Sequence, residues 1–190
     1  MFIVLSGVSS SGKNTVMEAL MKKRDDLKIL QLSSATTRAK RESDSKFNTY
    51  VYFTKEEFEE GIKRGLFFEY ELVHENYYGM FLSRLEDVVN DKQFDYMRDI
   101  DVKGNVSLKK FFKDKCPMVS IFLDAPDEVL KQRLLLRGDD LEDIERRLSR
   151  SELERSYKSN YDLVIDNIDL QKTVEAISDF IDQYKLKCKI

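Results

Sequence analysis

A chain of 190 residues with 42% hydrophobic content can enclose one core but has little material for a second. Its 32 basic and 35 acidic residues give a formal charge of -3, which argues against a nucleic-acid partner. Cys116 and Cys188 lie far apart and the chain has 1 histidine, so reduced thiols in the cytoplasm are expected rather than a zinc module or a disulfide framework.

Residues 2–6 (FIVLS) form a β-branched and aromatic run that stops at Gly7, the pattern of a buried strand. The run is too short for a signal peptide, and no later stretch reaches the length of a membrane span, so no membrane partner is expected. Residues 14–23 carry Val16, Met17, Ala19 and Leu20 at helical spacing and end in Lys22, Lys23 and Arg24, charges that suit a helix C-terminus. Residues 27–32 read as a second strand, and 33–49 as loop, because no apolar period runs through them. A brief strand at 50–53 leads to Thr54, which with Glu57 makes a capping box for a helix to about Lys63, closed by Gly65.

Residues 66–73 are aromatic-rich and read as a strand, and 85–89 as helical. Residues 96–102 read as a strand with Asp99 and Asp101 at its C-terminal end. The clearest buried strand after the first is 119–123. Pro126, Asp127 and Glu128 start a helix that carries Arg133 and Arg137. Residues 141–155 predict a charged helix, 163–165 a last strand, and 170–184 an amphipathic helix with Val174, Ile177, Phe180 and Ile181 on one face. Strands alternating with helices define an α/β fold, a three-layer αβα core on a parallel sheet. Residues 34–83 depart from the alternation and suggest an insert that binds a substrate.

Gly7-Val8-Ser9-Ser10-Ser11-Gly12-Lys13 fits G-x-x-x-x-G-K, placed between strand and helix. The glycines permit the turns that aim consecutive N–H groups at phosphate oxygens, the helix adds its positive end, and Lys13 supplies a point charge for the β and γ phosphates. The position after Lys13 normally gives a hydroxyl to a metal ion. Here it is Asn14, whose amide oxygen is a neutral hard ligand. Thr15 has a hydroxyl but points about 100° away on a helix.

Beyond that loop, Ser34-Ala35-Thr36-Thr37-Arg38, Arg41, Tyr50, Glu69, Asn76-Tyr77-Tyr78-Gly79 and Asp99-Ile100-Asp101-Val102-x-Gly104 follow in an order and spacing that resembles the guanylate kinase family. Arg133, Arg137-Gly138-x-Asp140 and Arg147-Leu148 resemble that family's lid. The likeness runs from Phe2 to the final helix. It implies a Mg²⁺-dependent nucleoside monophosphate kinase that moves the γ-phosphoryl of ATP to GMP. It also implies a single domain, with a P-loop kinase core at 1–33, 84–125 and 156–190, a GMP-binding insert at 34–83 and a helical lid at 126–155.

In that frame Gly7, Ser9, Ser10, Ser11, Gly12, Lys13, Asn14 and Thr15 hold ATP, and Lys13, Arg38, Arg133, Arg137 and Arg147 carry catalysis. Ser34, Arg38, Arg41, Tyr50, Glu69, Tyr78 and Asp101 bind GMP, with Asn14 and Asp99 at the metal. Arginine forks suit a monophosphate clamp, and a carboxylate at Glu69 accepts from a donor pair that guanine has and adenine lacks. Two residues apart on a strand, Asp99 and Asp101 would share one face, and on the sequence their roles are interchangeable. Monomer and homodimer are both compatible.

Besides Asn14, two departures stand out. Met80 takes the place of a Ser or Thr that would contact guanine, and Arg98 that of an apolar strand residue, where a charge needs a partner or a route to solvent. They keep two other readings open, a phosphokinase with another small acceptor and a non-catalytic module of guanylate-kinase type.

Overall fold

The structure is a computed structural model that describes residues 1–30, 34–40, 50–73 and 75–189; of Ser34 and Val73 it describes the backbone. In chain order the elements are β1 (Phe2–Gly7), α1 (Lys13–Lys23), β2 (Leu27–Ile29), β3 (Ser34–Thr36), β4 (Tyr50–Tyr52), α2 (Lys55–Lys63), β5 (Phe67–Val73), β6 (Asn76–Phe81) and α3 (Leu82–Asn90). They continue as β7 (Asp95–Asp99), α4 (Val102–Phe112), β8 (Met118–Asp124), α5 (Asp127–Leu136), α6 (Leu141–Arg155), β9 (Leu163–Asp166) and α7 (Leu170–Cys188). The chain divides into two units, one of Met1–Ile29 with Lys92–Ile190, the other Leu30–Asp91.

The first unit is built on a five-stranded sheet in the order β2-β7-β1-β8-β9, every pairing parallel. A central parallel strand is covered on both faces, which is why β1 reads as continuous apolar sequence. Phe2, Ile3, Val4 and Leu5 have no exposed surface. Alternate residues serve alternate layers. Ile3 and Leu5 pack with Val16, Met17 and Leu20 of α1 and Val174, Ile177 and Ile181 of α7. On the other face Phe2 meets Phe112 of α4, ring centroids 4.9 Å apart. Arg24 ties the end of α1 to α7, donating to the Ser178 carbonyl at 3.2 Å and pairing with Asp182 at 2.8 Å.

The second unit is a four-stranded sheet in the order β4-β3-β6-β5. Its core is small and aromatic: Ala35, Phe58 and Phe67, with Phe53, Tyr77 and Phe81 around them. Phe58 stacks on Phe67 at 4.3 Å and on Tyr77 at 5.0 Å. Gly79 is there because that core leaves no room for a methyl group: a Cβ would lie 2.8 Å from Phe58 and 3.0 Å from Phe67. α2 begins as its sequence requires, Thr54 accepting from the Glu57 amide at 3.1 Å while Glu57 accepts from the Thr54 amide at 2.8 Å.

Three elements differ from the sequence reading. Strand β3 lies in what reads as loop, and β6 is an additional strand; neither has an apolar run to announce it. Residues 96–102 are not one strand. β7 ends at Asp99, and α4 begins at Val102 with Asp101 as its N-cap. Gly104 and Asn105 in its first turn disguise a helix whose Val102, Asn105, Leu108 and Phe112 are buried at helical spacing.

Candidate active site

β1 delivers the chain to the phosphate loop at the carboxyl end of the sheet, where open α/β sheets bind ligands. Gly7, at φ 150°, lies so close to β8 that a Cβ would sit 2.1 Å from the Leu123 carbonyl oxygen. Ser10 and Gly12 take left-handed φ values of 62° and 91°, which turn the loop back on itself. No side chain caps α1. Its first amides and its positive end therefore face the loop, the arrangement that binds anions. Lys13 folds across the loop and donates to the Gly7 and Val8 carbonyls at 2.7 and 3.0 Å. Burial pushes its ammonium below the usual lysine range, against the pull of the Glu154 and Asp99 carboxylates.

α5 and α6 bring three arginines to the same loop. Arg133 donates to the Ser11 carbonyl at 3.3 Å and to the Asn167 carbonyl at 2.6 Å. Arg137, at the end of α5, reaches Ser10 Oγ at 3.5 Å, and Arg147 on α6 reaches Ser9 Oγ at 3.2 Å. The buried Nε of Arg147 has no protein partner, a donor held ready for an anion. α6 is pinned by Arg155, which donates to Asp124 at the end of β8 at 2.9 Å and to Asp127 at 2.6 Å. Arg146 makes instead the surface pair with Asp143 that its charged helix face suggests.

Ser9, Ser10, Gly12, Lys13, Asn14, Thr15, Arg133 and Arg137 line one cavity of about 690 Å³, together with Asp99. Asn167, Leu136, Ile168 and Leu170 complete its wall and are absent from the sequence reading. Asn167 is the important omission. Its side chain donates to the Ser11 carbonyl at 2.8 Å, and its buried Oδ1 is unpartnered. It follows β9, and a polar residue just past the end of a parallel strand is the signal that marks it.

The two acids separate. Asp99 ends β7 and lines the cavity, while Asp101 is a helix cap whose Oδ1 accepts from the Lys103 and Gly104 amides at 2.9 and 2.7 Å. The expectation that they share a strand face is therefore corrected. Arg98 finds its partner next door, with Nε 3.2 Å from Asp99 Oδ1. No group of three His, Cys, Asp or Glu side chains able to hold a metal occurs among the described residues. Mg²⁺ typically takes one or two carboxylates and completes its shell with phosphate and water. Asn14 fits that limited role, on an ion that would arrive with a nucleotide, whereas the Asp99 carboxylate faces the cavity already paired with Arg98.

In the second unit the sheet register gathers the acceptor candidates. Tyr50 of β4 opposes Ser34 of β3, Ser34 opposes Met80 of β6, and Met80 opposes Glu69 of β5. Directly opposed residues share a face, so Tyr50, Met80 and Glu69 stand on one side of the sheet, joined by Tyr78 two positions from Met80. Regular alternation would put Glu69 on the same side as Phe67, in the aromatic core. A bulge between Phe67 and Glu69 adds one residue and turns the carboxylate to the other face. Arg38 stacks over the Tyr50 ring at 5.3 Å, and Tyr50 meets Tyr78 edge-on at 6.3 Å. Thr36 and Thr37 fix the chain before Arg38, one donating to the Tyr77 carbonyl and the other accepting from the Tyr77 amide, each at 2.9 Å. Arg41 lies outside the described residues.

A row of main-chain amides, one ammonium and three guanidinium groups can do little covalent chemistry. What it does well is hold a polyphosphate and offset charge as a phosphoryl group moves, and that is the work of a P-loop kinase. The family model for guanylate kinase matches residues 1–184. The chain belongs to the guanylate kinase family and is a nucleoside monophosphate kinase. It is 37% identical to a guanylate kinase of Helicobacter pylori over 177 residues, 92% of this chain and 83% of the relative. With one of Rickettsia felis it shares 36% over 183 residues, 95% and 92% of the two chains. The crystal structure of guanylate kinase from Anaplasma phagocytophilum superposes with a TM-score of 0.65 at 28% identity, covering 96% of this chain and 85% of that one. A shikimate kinase from Bacteroides thetaiotaomicron, at 14% identity and a TM-score of 0.53, shares the fold alone.

Proposed function

We propose that the protein transfers the γ-phosphoryl group of ATP to GMP, giving ADP and GDP, with the labour divided as its residues are grouped. A phosphate oxygen of GMP forms the new bond to the γ phosphorus, and the bond from that phosphorus to the β–γ bridging oxygen breaks, the oxygen leaving on ADP with the electron pair. The loop at residues 7–15 and Lys13 hold the triphosphate, while Arg133, Arg137 and Arg147 offset charge on the transferring group. Arg38, Arg41, Tyr50 and Tyr78 seat the GMP phosphate, and Ser34, Glu69 and Asp101 read its base. Mg²⁺ carried in on ATP would offset phosphate charge, with Asn14 as the side chain placed to meet it.

The observation that carries this reading is the convergence of Lys13 and three lid arginines on the carbonyls and hydroxyls of Gly7–Ser11, with the α1 amides uncapped. None of that is needed to stabilise a turn. No helix among the described residues is long and apolar enough to cross a membrane. The test is ADP release from ATP and Mg²⁺ with a panel of nucleoside monophosphates. GMP alone is expected to support turnover in the kinase range of roughly 1–100 per second. Turnover on another monophosphate, or silence with all of them from a folded protein, refutes the assignment.

A further inference from the structure

One of the chain's departures from its family's pattern, Asn14, lines the donor cavity, and another, Arg98, is paired with an acid that does. Asn14 and Asp99 both line it, beside Lys13. Asn14 brings a neutral amide where a hydroxyl is usual. Asp99 brings a carboxylate that is already engaged, with Arg98 Nε 3.2 Å from its Oδ1. Neighbours on a regular strand point to opposite faces, and this pair falls where β7 ends, at Asp99. The Arg98 side chain is 16% exposed and that of Asp99 38%, so the guanidinium is the better shielded of the two. Lys13 adds a second positive charge near the same carboxylate.

A divalent ion and a guanidinium compete for one carboxylate. The ion prefers its water and gives it up reluctantly. The guanidinium is covalently tethered and always charged. We propose that Arg98 is a positioning residue that occupies Asp99 in place of the metal, so that the nucleotide's divalent ion is held by phosphates and water with little help from the protein. The inference rests on the donor-site reading above and deepens it. Its consequence is a kinase that binds ATP nearly as well without Mg²⁺ as with it, and that discriminates weakly among small divalent cations.

The experiment compares wild type, Arg98→Leu and Arg98→Lys. ATP affinity is measured by calorimetry in excess EDTA and in excess Mg²⁺, and turnover with GMP is followed across a Mg²⁺ titration. In wild type the two affinities are expected to agree within about threefold. Arg98→Leu releases Asp99, so the ratio of affinities in favour of Mg²⁺ rises roughly twofold to fivefold, and half-maximal activation moves to lower Mg²⁺ by the same factor. Arg98→Lys keeps a charge on the stem and restores much of the wild-type behaviour. Asp99→Asn in the wild-type background, a check that does not depend on the folding of Arg98→Leu, leaves the wild-type affinity ratio nearly unchanged, because its carboxylate is not the metal's. A fall in that ratio with Asp99→Asn, or identical ratios and activation curves in wild type and Arg98→Leu, overturns the proposal while leaving the kinase reading intact. Failure of ATP to bind any of them overturns both.

Discussion

The phosphate loop and the second unit's sheet, the proposed donor and acceptor sites, are made from different parts of the chain. The loop is made of backbone: its partners are carbonyls and amides of residues 7–13, its shape is set by Gly7 and Gly12, and it rests on a strand with no exposed side chain from Phe2 to Leu5. The sheet at β4-β3-β6-β5 sets side chains in a row, over a core in which, among the described residues, Ala35, Phe58 and Phe67 are buried. Backbone amides recognise phosphate in any nucleotide. Side chains in register can tell one base from another. The proposed donor loop therefore rests on the larger core of the first unit, and the proposed acceptor row on the smaller core of the second.

The sharpest way to break that contrast is Lys13→Ala. The loop keeps its glycines and amides but loses the only ammonium inside it, and the buried charge goes with it, so the fold is not expected to suffer. Turnover is expected to fall by roughly 10²- to 10³-fold, the scale for removing one preorganised charge from a transition state. Thermal melting should stay close to wild type. Activity within a few-fold of wild type would show that Lys13 braces the loop's carbonyls and nothing more.

A smaller effect, on the other region, is expected from Gly79→Ala. The added methyl lands 2.8 Å from Phe58 and 3.0 Å from Phe67, so the rings on which the acceptor row is mounted must shift. Overpacking of this kind costs about 1–3 kcal/mol. The KM for GMP should rise several-fold while ATP affinity, measured separately, holds. Loss of ATP affinity in step with GMP would mean that the two halves are one cooperative structure, and the contrast would dissolve.

How much of this was legible in the sequence follows the same division. Backbone devices leave fixed marks, so the loop, the Thr54 capping box and Pro126 before α5 are all readable from residue type and spacing. Side-chain constellations leave weaker marks. Glu69 has the right chemistry, but whether it faces the core or the ligand depends on one unpaired residue, and no residue type encodes the bulge. Asp101 looked like an acid at a strand end because the helix after it opens with Val, Lys, Gly and Asn; its position before them was itself a cap signal. Asn167 has no periodic neighbours to frame it, and only the placement of β9 beside β8 brings it to the loop.

The finest test belongs to the first unit. Tyr161 packs edge-on against Phe122 with ring centroids 5.1 Å apart, in a cluster that includes Val8 of the phosphate loop, and its hydroxyl is buried. Burial, reinforced by the Asp101 and Glu154 carboxylates, pushes its pKa up from the usual 10.0 to about 12. A folded-state value above the unfolded one means that the folded protein keeps this proton longer. Its contribution to stability is complete below the unfolded value near pH 10 and is lost as the pH rises toward 12. Wild type should therefore lose melting temperature across that window. Tyr161→Phe removes the titrating group without emptying its place against Phe122, so its melting temperature should fall less steeply there while differing little from wild type at neutral pH. Parallel curves for the two proteins would show that the hydroxyl meets solvent freely, and that the packing beneath the phosphate loop is looser than its buried strand implies.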